Sequence, residues 1–92
     1  MATGTAEIKV LVADMDEDMQ TFAINTTAQA FETKTLERDI AAEIKSKFDS
    51  QYQPVWIVVV GRDFGSHVVH QTKRYIYLSY HENVQVLIWK SN

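Results

Sequence analysis

Few residues in this sequence could do chemistry, and their spacing argues against most of it. His67 and His70 lie three apart in a stretch that reads as extended, so their side chains fall on opposite faces and cannot grip one ion together. His81 stands apart from both. Asp14, Asp16 and Asp18 imitate the start of a calcium loop, yet Met19 stands where that loop needs glycine and Asn25 where it needs the bidentate glutamate. The plainer reading is an acidic helix start, which the helix dipole favours. Asp63-Phe64-Gly65 matches the metal-binding tripeptide of protein kinases, but it has no glycine-rich loop or catalytic loop beside it. Asn25-Thr26-Thr27 is a glycosylation sequon inside a predicted helix, with no export signal ahead of it. No serine or threonine sits in a nucleophile motif, and there is no glycine-rich phosphate loop. The expectation is a protein that is not an enzyme and uses no metal or cofactor.

The remaining polar-aromatic feature is Tyr75, Tyr77 and Tyr80 among aliphatic residues. Ordinary sheet packing explains them, since tyrosine is a good strand former. An aromatic floor for a bound peptide is the functional alternative.

Composition sets the frame for these residues. A chain of 92 residues makes one domain, and one small enough that self-association would add useful burial. With 46% hydrophobic residues it can build a core, and a net charge of −3 leaves no electrostatic footprint for nucleic acid. No window is apolar enough to span a membrane, and the first residues lack the pattern of a signal peptide. The absence of cysteine removes disulfides and thiolate metal sites and suits a reducing compartment.

The elements follow from periodicity. Residues 1–6 read as a loose tail, and 7–92 as one domain. Residues 7–13 alternate, with Ile8, Val10 and Val12 on one face. Asp14 and Glu17 suggest a capping box opening a helix, whose Met15, Met19, Phe22, Ala23, Thr26 and Ala30 form one apolar stripe. Thr35 is the expected cap of a second helix, with Glu37 and Asp39 at its positive end and Leu36, Ile40, Ile44 and Phe48 along its stripe. Pro54 ends the helical region. Residues 55–60 are β-branched apart from Trp56, a run that suits a strand covered on both faces. After a turn at 61–65, residues 66–71, 74–80 and 84–90 read as three more strands, the last two joined by a turn at 81–83. Helices followed by strands argue for an α+β fold with an antiparallel sheet.

Several stretches resemble the dynein light chain family. They run from Lys34 to Ala42, through Ile44-Lys45, Phe48-Asp49, Tyr52, Pro54 and Trp56, to the distinctive Val60-Gly61-Arg62-Asp63-Phe64-Gly65-Ser66. Val68, His70, Thr72-Lys73, Ile76-Tyr77 and the ending Trp89-Lys90-Ser91 continue the pattern. The resemblance implies a β-α-α-β-β-β-β protomer and a two-fold dimer in which a third strand, here about residues 64–70, crosses to the partner's sheet. It implies two equivalent grooves, each between that strand and the start of the second helix. A peptide would add there as an extra antiparallel strand.

On that resemblance the peptide-binding residues would be Glu37 and Arg38 on the helix, Arg62, Phe64, Gly65, Ser66, His67, Val68, Val69 and His70 along the crossing strand, and Tyr75, Tyr77 and Gln85 on the sheet. Ile57, Phe64, Ser66, His67 and Val69 would line the dimer interface. There are departures too. Val69 replaces a groove threonine, His67 a tyrosine, Asp63 an asparagine and Gln85 a small groove residue, and the turn at 81–83 is one residue longer than usual. Ile57 replaces an interfacial histidine, which implies a dimer that resists mild acid. The implied function is a non-catalytic hub that pairs disordered partner segments, dynein intermediate chain among them, in the cytoplasm on the microtubule cytoskeleton. The alternative is a dedicated structural subunit of an axonemal or other assembly with a specialised groove.

Overall fold

The computed structural model describes residues 8–62, 74–81 and 83–91. They form strand β1 (Ile8–Asp14), helix α1 (Glu17–Thr33), helix α2 (Glu37–Gln51), and strands β2 (Trp56–Gly61), β3 (Tyr75–Tyr80) and β4 (Val84–Lys90). The strands make one antiparallel sheet in the order β1-β3-β4-β2. The α+β expectation holds for these elements; the expected strand at 66–71 lies outside the described residues.

Both helices lie on one side of the sheet. Ala23 and Ala30 of α1 and Ile40, Ile44 and Phe48 of α2 bury against Trp56, Ile76, Leu78, Val86 and Ile88. The α1 stripe is as expected at Ala23, Thr26 and Ala30, with Met15, Met19 and Phe22 packed at its margin. Phe22, Phe48 and Trp56 close one end of this layer, with ring centroids 5.0 Å apart for the first two and 4.8 Å for the last two.

Both helix starts differ from expectation. Asp14 is still paired with Tyr75 in the sheet, so the cap of α1 is Asp16, whose Oδ1 accepts from the Met19 amide at 2.9 Å. The α2 cap is Leu36 rather than Thr35, because the Leu36 carbonyl takes the first helical bonds, from Asp39 N and Ile40 N at 3.0 Å. Leu36 is therefore 51% exposed instead of buried in the stripe.

Strand β2 also corrects the sequence reading. Trp56 is 1% exposed under α2, but Val59 is 37% exposed, and Val55, just outside the strand, 49%. The helices cover the Trp56 side of this strand only, and among the described residues it sits at an edge of the sheet.

Asp49 ties α2 to β2. Its Oδ1 accepts from the Trp56 amide at 2.8 Å and its Oδ2 from Lys45 Nζ at 2.6 Å. The Lys45 ammonium foremost, helped by the Trp56 amide, holds this carboxyl below its usual range despite some desolvation. A carboxyl lowered on folding stabilises the native state above its unfolded pKa, and that contribution disappears as pH falls through the folded pKa. Asp49→Ala should cost about 1 kcal/mol at neutral pH, a half-buried charged hydrogen bond being only partly screened. In urea titrations the gap between variant and wild type should close below about pH 4; a gap independent of pH would contradict the assignment.

Candidate functional site

The side of the sheet away from the helices is apolar as well. Cross-strand pairs place Ile57 opposite Trp89 and Trp89 opposite Tyr75 in one row, and Val59, Leu87 and Tyr77 in the next. Val12 of β1 extends the second row through its pairing with Tyr77. The third row holds Gly61, Gln85 and Ser79. Period-two alternation makes this unavoidable: the residues between these positions are the ones buried under the helices. Val59 and Val12 are 37% and 41% exposed, whereas Leu87, at their centre, is 1% exposed.

At one end of β2 the helix start comes close. Helix α2 is 15 residues and β2 is 6, lengths of about 22 Å and about 20 Å at their respective rises. An antiparallel helix and strand of matched length, tied by Asp49 and Trp56 at one end, must meet again at the other. There Arg62 Nε lies 4.0 Å from Glu37 Oε2. Leu36, Glu37 and Arg38 are all exposed at this corner. The cap Leu36 has no side-chain acceptor, so it leaves the first-turn amides of α2 to other acceptors.

The structure thus divides the residues singled out in the sequence. Glu37, Arg38, Arg62 and Gln85 gather near the α2 start, Gln85 through its pairing with Gly61. Ile57, Tyr75 and Tyr77 belong to the apolar rows instead, Tyr75 being two rows from Gln85. Phe64, Gly65, Ser66, His67, Val68, Val69 and His70 lie outside the described residues, as does Asp63. Sequence reading missed Leu36 at the corner and Val59 on the apolar face. Period two sets Leu87 and Trp89 on one face of 84–90, and the same rule applied to 55–60 would have found Val59.

Other chemistry has little support. Among the described residues no group of three or more His, Asp or Glu could hold a metal ion. Asp16 is committed to its cap. His81 takes a left-handed backbone (φ 57°) in the β3–β4 turn, its ring edge-on to Tyr80 at 4.3 Å. Burial first, then Asp16 and Asp18, pushes the Tyr52 hydroxyl above its usual pKa, far from the α2 start.

The family model described as dynein light chain type 1 matches residues 7–91. Among solved structures, the dynein light chain-like domain of the Fasciola hepatica calcium-binding protein FhCaBP2 superposes with a TM-score of 0.76 in its mercury derivative, at 22% identity over 94% of this chain and 93% of that one. Its native P6422 form gives a TM-score of 0.75, at 22% identity over 92% and 91%. These likenesses agree in fold with the order of helices and strands described above.

The Glu37–Arg62 pair is exposed at both ends, so it should contribute less than about 1 kcal/mol to folding. Glu37→Gln should leave the thermal midpoint nearly unchanged by calorimetry. A shift of many degrees would make the pair structural instead.

Proposed function

The chain belongs to the dynein light chain family, and from that premise we propose that it is a non-catalytic dimeric hub that takes up short extended peptides by strand addition. The observation that supports the reading is the apolar side of the sheet turned away from the helices, where Val12 and Val59 are exposed, beside β2, which among the described residues lies at an edge of the sheet. A second protomer laid on that side would cover Ile57, Val59, Tyr77 and Trp89, and each square ångström of apolar surface removed from water is worth about 25 cal/mol. Residues 64–70 would cross to the partner sheet and offer their outer edge to the peptide. Leu36 would then supply an apolar wall, and Glu37, Arg38 and the first-turn amides of α2 the polar contacts at the groove's end.

The partners of this reading are disordered segments of other proteins, dynein intermediate chain being one. The site of action is the cytoplasmic microtubule motor. Two grooves on one dimer engage two linked segments together, so a bivalent ligand gains about a hundredfold or more over a single segment. The calcium binding named for the Fasciola protein is not extended to this chain, because Asp14, Asp16 and Asp18 form no such cluster in the structure.

Sedimentation at micromolar concentration should give a dimer, and Val59→Lys should give a folded monomer. With Ile57 in place of a titratable group, the wild-type dimer should persist from about pH 7 to about pH 5. Titration calorimetry with a panel of extended peptides should show one site per protomer, weakened about tenfold by Glu37→Gln. A folded monomeric wild type would overturn the hub. A dimer that binds no peptide of the panel would leave the dedicated structural subunit.

A further inference from the structure

Among the described residues β1 forms the opposite edge of the sheet, and it is built differently. The strand pairs, among those residues, with β3 alone. At its centre Val10, Leu11 and Val12 are 40%, 48% and 41% exposed. Adjacent exposed aliphatic residues on an unpaired edge make a template for another strand. A lysine and a bulge can also serve to guard such an edge, so the question is what the charges and the bulge of β1 do together.

The only charged residues of β1 are Lys9 and Asp14, one near each end. Residues five apart in a regular strand point to opposite sides. The register shift between Val10 and Val12 cancels that difference: Lys9 pairs with Ser79 and Asp14 with Tyr75, two β3 residues on the same side of the sheet. Both charges therefore stand on one side, equally spaced in ladder positions about the Leu11/Val12 step.

We propose that β1 is a self-recognition edge, to which the β1 of a second copy of this chain adds antiparallel about a two-fold axis at the Leu11/Val12 step. In that register Lys9 faces the partner's Asp14 and Asp14 faces the partner's Lys9. Val10 faces the partner's Ala13, and Leu11 the partner's Val12. Both opposite-charge pairs form together, and every other pair is apolar. Sliding one strand by two residues breaks both charge pairs, so the pattern selects one register. A bulge that merely guarded the edge would have no reason to bring the two charges to one side. This contact runs along the β1 edge and uses neither Ile57, Val59 and Trp89 nor the β2 edge, so it does not rest on the hub reading. Where both contacts form, each copy carries two separate two-fold contacts, and copies join into open chains.

The test is sedimentation of the full chain at rising concentration and low ionic strength, with amide exchange followed at residues 8–14. The wild type should grow beyond its basic species, with exchange slowing at 8–14. Lys9→Asp alone and Asp14→Lys alone should each weaken that growth about tenfold, since every contact contains both pairs. The double variant, Lys9→Asp with Asp14→Lys, should restore it, and the basic species should be unchanged in all four proteins. Absence of growth in the wild type, exchange that slows only elsewhere, or a double variant as weak as the single ones would overturn the proposal.

Discussion

Two helices laid side by side on a four-stranded sheet seal one side of it, and strand geometry then dictates what happens on the other. In β3 and β4, apolar residues occupy both parities. Ile76, Leu78, Val86 and Ile88 go under the helices, and Tyr75, Tyr77, Leu87 and Trp89 are turned away from them. No rearrangement within one protomer can cover both sets with only α1 and α2. On that second side Val12 and Val59 are still exposed, a demand for further cover that in a domain this small another copy can readily meet. The proposed hub reading is in essence a statement of how that demand is met.

A second constraint works along the helix rather than across the sheet. Helix α2 and strand β2 run antiparallel with nearly equal lengths, so fixing one pair of ends fixes the other. Asp49 does the fixing, with one oxygen on the Trp56 amide and the other on Lys45. The corner that carries Leu36, Glu37 and Arg62 is thus positioned from the far end of the helix, with little reliance on its own weak ion pair. A corner held in this way can lose its local contacts without loss of the fold.

Periodicity made most of this architecture legible. The α1 and α2 stripes and the order of the described elements are legible in the sequence, because each rests on a repeat summed over many residues. Single-residue features were less so. Asp14 and Asp16 are equally good caps by type, and only the pairing of Asp14 with Tyr75 decides between them. Thr35 is a better cap by chemistry than Leu36, yet the helix starts where the Leu36 carbonyl can accept. The run at 55–60 read as doubly covered, and Val59 stands 37% exposed on the face away from the helices, since composition reports how apolar a strand is and not what covers it. The groove residues around 64–70 came from the family resemblance alone, and no periodic signal in those residues could have supplied them.

The strand order has a consequence for how the protein comes into being. Strands β1 and β2, the two made earlier, end at opposite edges, and the later hairpin β3–β4 fills the space between them. Among the described residues neither early strand has a neighbour in the sheet until that hairpin arrives; Ile8 waits for Tyr80 and Trp56 for Lys90. During synthesis the helices can form as they emerge, while the sheet must close in one late step that joins distant parts of the chain. Until then the two apolar strands lack the partners they have in the finished sheet, and the unfinished chain is most exposed to aggregation.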